Sequence, residues 1–228
     1  MDRSRKKLSD RIGSDKDADI LVNTWKNLGF KVSRYDDLTS AHMIEILEDA
    51  AKKDHSKYDC LVVCILSHGV LGHVYGSDGL SVEINHLKGF FSGSRSLVGK
   101  PKLFFVQACQ GKKNQKGHAI ETNAGVSMKK ISQERQDLDV DGPTEVIPDE
   151  ADFLLAHATA PGYVSYRKES GSSYIRILTN NLDQFADKLD LLTILTKVNK
   201  EVGQIEFKGG NKQISAPMYT LRKKVLFY

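Results

Sequence analysis

The run Lys102-Leu103-Phe104-Phe105-Val106-Gln107 is short, apolar and built from strand formers, and it delivers Ala108-Cys109-Gln110-Gly111 at its end. A run of this length closed by glycine reads as a strand inside a sheet. A second run, Tyr58–Leu66, is almost continuously apolar and β-branched, and Ser67-His68-Gly69 follows it directly. Neither run alternates polar with apolar, which is the pattern of strands covered on both faces. Each ends in a side chain capable of chemistry, and a rigid strand end is a good place to hold one.

The rest of the chain supplies the covering helices. Ala18, Leu21, Val22, Trp25 and Leu28 recur at helical spacing, with Ser14 or Asp15 as the cap and Gly29 as the stop. Thr39 is expected to cap a second helix that carries Met43, Ile46, Leu47 and Ala50 on one face. Tyr174, Ile177, Leu178, Leu182 and Phe185 mark a third, and Leu191, Leu195, Val198 and Val202, capped by Asp190, mark a fourth. Val82–Phe91 reads as a short helix. Phe30–Ser33, Asp152–Ala158 and Met218–Phe227 are further strand candidates, and the glycine-rich Gly69–Gly79 reads as a hairpin or loop. Strands alternating with helices predict an α/β fold: a three-layer sandwich with a mostly parallel central sheet and helices on both faces. Ligands of such sheets bind beyond the carboxyl ends of the strands. If the two runs are parallel neighbours, His68 and Cys109 project from the same edge.

That placement suggests chemistry. A thiolate is a strong nucleophile and a nearby imidazole can take and return its proton. The flanking glycines would admit a substrate backbone, and the amides of Gly69 and Cys109 could form an oxyanion hole. A core cysteine with an unrelated loop histidine remains the alternative on the residues alone. Cys60, Cys64 and His68 share a four-residue spacing that would suit zinc on a helix. A strand makes the two cysteines core packing instead, so no metal and no cofactor is expected. No Gly-x-Ser-x-Gly elbow, phosphate loop or dinucleotide fingerprint occurs.

The 228 residues suit one domain, and 33 basic against 29 acidic side chains leave only +4, too little to argue for nucleic acid. No stretch is long and apolar enough to span a membrane, and the basic start Met1–Lys7 does not read as a secretory leader. Three cysteines are too few for a disulfide framework, so a reducing, cytoplasmic setting is expected. Residues 112–148 are polar and charged, a length that inside one domain is usually functional or disordered.

Gln107-Ala108-Cys109-Gln110-Gly111 matches the caspase signature Q-A-C-[RQG]-G. Cys64-Ile65-Leu66-Ser67-His68-Gly69, Tyr75-Gly76-Ser77-Asp78-Gly79, Ile147–Leu155, Val164-Ser165-Tyr166-Arg167 and Thr220–Lys224 also resemble a caspase protease domain, from about Asp10 to Phe227. The later segments, with Leu192–Thr196, are most similar to the apical, death-receptor members. The resemblance implies a cysteine endopeptidase that cuts after aspartate in apoptotic signalling. It puts the nucleophile on Cys109, the general acid/base on His68 and the second oxyanion amide on Gly69. It assigns the aspartate pocket to Arg11, Gln107 and Arg167. Val164 and Tyr166 would line neighbouring subsites, and Ser165 and Arg167 would hold the substrate backbone.

The resemblance further implies a large-subunit region, 1–141, ending in a processing linker, and a small-subunit region, 142–228. Cleavage is expected after Asp141 or Asp139. Expected partners are aspartate-bearing protein substrates, a second copy or another caspase, and a death-receptor adaptor complex where the full protein carries a prodomain. The family also has a first strand ahead of the position of Arg11, which this chain is expected to lack. Ser173 stands where the family usually has a tryptophan. The alternative is an impaired isoform or regulator that pairs with caspases or adaptor complexes.

Overall fold

In a computed structural model, the described residues are 8–118 and 147–228. In chain order the elements are α1 (Ser14–Asn27), α2 (Ser40–Lys52), β1 (Leu61–Leu66), β2 (Gly69–Val70), β3 (His73–Tyr75), β4 (Ser81–Glu83) and α3 (Ile84–Gly89). Then come β5 (Lys102–Gln107), β6 (Gly111–Lys113), β7 (Gln115–Lys116), β8 (Phe153–His157), β9 (Gly162–Tyr163), β10 (Arg167–Lys168) and β11 (Gly171–Ser172). The chain finishes with α4 (Ser173–Phe185), α5 (Leu191–Gln204), β12 (Asn211–Lys212) and β13 (Ala216–Tyr219).

The two apolar runs are β1 and β5, and they are neighbours. The main sheet has the order β1-β5-β8-β13, with the first three parallel and β13 antiparallel. β5 is buried along its whole length, and its alternation sorts the core into two layers. Leu103 and Phe105 face a cluster with Leu21 and Trp25 of α1, Leu178 of α4 and Val198 of α5. Phe104 and Val106 face the other cluster, with Met43 of α2 and Ile84 and Leu87 of α3. Trp25 packs on Phe105 at 5.6 Å and Phe91 on Phe104 at 5.7 Å between centroids, so aromatic contacts lock β5 from both sides. The fold is therefore the three-layer α/β sandwich the patterning predicts. No helix among the described residues is long and apolar enough to cross a membrane.

Several local expectations change. Among the described residues β1 is an edge strand, so Leu61–Leu66 is half-buried except at Ile65, not covered throughout. Phe30–Ser33 forms no ladder among the described residues, although Phe30 and Val32 pack onto the core. Gly69–Gly79 does contain the expected hairpin, β2-β3, which β4 extends to a three-stranded antiparallel sheet, so Val82 belongs to β4 rather than to the helix. The last strand stops at Tyr219. Thr39 and Asp190 cap as expected, accepting from the amides of His42 and Thr193, both at 3.2 Å. For α1 the N-cap is Gly13, at φ +84, with no side-chain cap.

His157 ends β8 at 7% exposure, and its Nδ1 has no hydrogen-bond partner among the described residues. Burial pushes its pKa down from 6.5 to about 4. Its native form is neutral, so the stability it carries is complete above the unfolded value and is lost as pH falls toward 4. Between pH 7 and pH 5 this predicts a loss of about 2 kcal/mol, readable in urea melts. His157→Phe is expected to flatten that loss.

Candidate active site

The parallel register of β1 with β5 places Leu66 beside Gln107. His68 and Cys109 each lie two residues further on, so both leave the same carboxyl edge of the sheet. Cys109 is half-buried and free. Cys60 and Cys64 are also free but pack against the core, where burial pushes each thiol up to about 12. Of the three thiols, only Cys109 stands at the strand-end edge.

His68 is held by a residue that no sequence pattern singles out. Its Nε2 lies 2.8 Å from the carbonyl oxygen of Ser9. A carbonyl only accepts, so Nε2 carries the proton and Nδ1 is left as the acceptor. The main chain thus sets the tautomer, as a carboxylate does in the Ser-His-Asp triad.

Gly69 is needed for space. A Cβ there would lie 2.6 Å from the carbonyl oxygen of Cys109 and 2.9 Å from the Ala108 Cβ. Two strand-end loops touch backbone to backbone at this point. Gly69→Ala is expected to lower kcat/KM by roughly 10²-fold by displacing a loop, with the melting temperature measured alongside. An unaffected rate would separate this contact from catalysis.

The segment before α1 closes the site. Arg11 is half-buried, donating from Nη1 to the Ser14 hydroxyl at 2.6 Å and from Nη2 to the Gln107 carbonyl at 3.3 Å. Its Nε is buried without a hydrogen-bond partner among the described residues. Arg167 donates from Nε to the carbonyl of Ile12 at 2.9 Å, which draws β10 onto the same segment. Gly13 permits that approach, since a Cβ there would lie 2.4 Å from the Lys168 carbonyl. The two guanidiniums are close enough to repel. Burial first, and then Arg167, push the pKa of Arg11 down to about 10. Burial also lowers Arg167, against the pull of Asp17 and Cys109.

Asp17 is the resident anion of this cluster. It is buried to 1% exposure and both its oxygens accept from the Ser172 amide, at 2.8 and 3.1 Å. Burial raises its pKa against those hydrogen bonds and the two arginines. Gly171 sits so close that a Cβ would be 2.4 Å from Asp17 Oδ1. A half-buried cation pair beside a thiol, with one N–H unpartnered, is an arrangement that a carboxylate would complete.

The segment after β9 forms the remaining wall. The Ser165 amide donates to Cys109 Sγ at 3.4 Å, and the Ser165 hydroxyl accepts from Gln107 Nε2 at 3.0 Å. Tyr166 stacks on Phe207 at 4.2 Å and 17°, and its hydroxyl donates to Asn114 at 2.8 Å. Val164 donates its amide to the Lys113 carbonyl at 3.0 Å, continuing the β6-β9 pairing. The structure therefore brings Arg11, His68, Gly69, Gln107, Cys109 and residues 164–167 to one sheet edge. Ser9, Asp17 and Phe207 join them without having been anticipated. Ser173 starts α4 and is buried. Asp139 and Asp141 lie outside the described residues.

The family profile described as "Caspase domain" matches residues 4–226. This chain belongs to the caspase-domain family. It is similar to caspase-8 of Mus musculus, 43% identical over 229 residues, covering 97% of this chain and 46% of that relative. It is also similar to caspase-3 of Oryctolagus cuniculus, 40% identical over 232 residues, with 97% and 78% covered. The crystal structure of caspase-1 from Spodoptera frugiperda superposes with a TM-score of 0.85 at 32% identity, covering 96% of this chain and 85% of that one. The chain spans about half the length of the caspase-8 relatives it matches, at 46% of each. Within the caspase domain, the sheet edge just described is where the matched Gln-Ala-Cys and Ser-His-Gly segments meet.

Proposed function

We propose that this chain is the protease domain of an apical-type caspase, a cysteine endopeptidase of apoptotic signalling that cleaves after aspartate. The observation that carries this reading is the pair Arg11 and Arg167, half-buried together beside Cys109 with the Arg11 Nε unpartnered. In the proposed reaction His68 Nδ1 accepts the Cys109 thiol proton and the sulfur attacks the backbone carbonyl carbon of the substrate aspartate. The amides of Gly69 and Cys109 hold the oxyanion, and the imidazolium protonates the leaving amine. Water then releases the acid and restores the thiol. The substrate carboxylate sits between Arg11, Arg167 and the Gln107 side chain. The Ser165 and Arg167 backbone flanks the substrate chain, while Val164 and the stacked Tyr166–Phe207 pair line the next subsites.

Division into a large region, 1–141, and a small region, 142–228, by cleavage after Asp141 or Asp139 belongs to the same proposal. So does pairing with a second copy or another caspase. The outer edge of β13, with Met218 and Tyr219 more than half exposed, suits that pairing. A cytoplasmic setting and recruitment to a death-receptor adaptor complex in the full protein complete it.

A peptide with aspartate bearing a fluoromethyl ketone tests the reading. It is expected to label Cys109 alone, as located by peptide mass spectrometry, and the Asn analogue is expected not to. Labelling spread over Cys60, Cys64 and Cys109, or indifferent to Asn, would count against it.

A further inference from the structure

Gln213 stands between β12 and β13 and is 1% exposed. Both ends of its amide are engaged. Nε2 donates to the Ala158 carbonyl at 2.6 Å and to the Ser165 hydroxyl at 3.4 Å. Oε1 accepts from the Tyr166 amide at 2.9 Å. Ala158 extends β8 by one residue, its amide donating to Val106 of β5, so its carbonyl belongs to the rigid sheet. Ser165 and Tyr166 lie in the short connection between β9 and β10, two strands of two residues each. That connection also carries the Ser165 amide that lies on Cys109 Sγ, and Arg167 follows at once.

Gln213 therefore ties the wall of the site to the end of the sheet at the step just before Arg167. The task requires a side chain that donates at one end and accepts at the other, and the buried amide does both. We propose that Gln213 is a positioning residue for catalysis: it sets where Ser165–Arg167 sit relative to Cys109 without touching substrate. The substrate half of this inference rests on the proposed aspartate specificity. The half concerning the cover over Cys109 does not.

Gln213→Met keeps the length and removes the hydrogen bonds, leaving the Tyr166 amide and the Ala158 carbonyl buried without that partner. The expected result on an aspartyl tetrapeptide is a fall in kcat/KM of roughly 10- to 100-fold, carried mainly by KM. Alkylation of Cys109 by iodoacetamide is expected to speed up several-fold, because the Ser165 amide no longer lies against the sulfur. Cys60 and Cys64 serve as internal reporters of unfolding and are expected to stay unmodified.

Gln213→Glu supplies a second readout. A protonated glutamic acid reproduces the donor and the acceptor, whereas the carboxylate loses the donor. The KM of this variant is therefore expected to rise with pH relative to the parent chain. Unchanged KM and unchanged Cys109 alkylation in Gln213→Met would overturn the inference. So would an alkylation increase shared by all three cysteines, which would mark a purely structural role. If the parent chain does not cut the aspartyl peptide but Gln213→Met still unmasks Cys109 selectively, the positioning role stands and the proposed specificity fails.

Discussion

Cys109→Ala is expected to lower kcat on an aspartyl peptide on the order of 10^6-fold, the size of loss seen when a serine-protease triad loses its nucleophile. The side chain lies at the carboxyl end of a strand buried along its whole length. Its sulfur lies against the backbone amide and carbonyl of Ser165, at 3.4 and 3.8 Å. Removing the sulfur leaves that framework intact, so the variant should melt like the parent chain and still bind peptide. His68→Ala is expected to approach the same loss, because residues that act as a unit are not additive and the double variant should be little worse than either single one. Steady-state rates with a thermal melt of each variant check both statements. A Cys109→Ala chain that retains more than a trace of hydrolysis would place the nucleophile elsewhere.

The second large effect concerns the two arginines. Arg11→Leu or Arg167→Leu is expected to cost about 2–5 kcal/mol in transition-state binding, roughly 30- to 5,000-fold in kcat/KM. The loss should fall on aspartyl substrates and leave reaction of Cys109 with a small neutral alkylating agent nearly unchanged. Lysine is expected to rescue poorly at either position, since an ammonium cannot reproduce the planar fork that binds a carboxylate. The sign for Asp17 differs. Asp17→Asn removes the resident anion and leaves Arg11 and Arg167 uncompensated. Any gain in attraction for the substrate carboxylate is then opposed by their mutual repulsion. A uniform effect of all three substitutions on aspartyl and neutral peptides would mean that these residues support the fold and not the pocket.

Much of this site was legible before any coordinates. His68 and Cys109 each follow an apolar run by two residues, and parallel neighbouring strands then leave little freedom in where those side chains go. Arg11, Gln107 and Arg167 depended on resemblance. As isolated residues, Arg11 near the chain start reads as a solvated charge, and only its contacts with Ser14 and the Gln107 carbonyl show otherwise. Ser9 could not have been found, because it acts through a carbonyl that every residue type possesses. Gln213 and Asp17 gave no periodic signal, since their burial follows from contacts across 47 and 155 residues of sequence. The misplaced cap of α1 has a physical reason too. Ser14 and Asp15 are good capping residues, but the close approach of residues 168–171 requires the left-handed Gly13 at that position. Phe30–Ser33 has strand-like residues yet no adjacent strand among those described, and β propensity without a partner makes no ladder.

The most direct measurement is the ratio of kcat/KM for two tetrapeptides that differ only in carrying Asp or Asn before the scissile bond. A pocket built from Arg11, Arg167 and Gln107 predicts a preference for Asp on the order of 10^4, as expected when the wrong substrate leaves buried polar groups unpaired. The Arg167→Leu variant should collapse most of that ratio. Equal turnover of the two peptides by the parent chain would contradict the assignment of the two guanidiniums to substrate recognition.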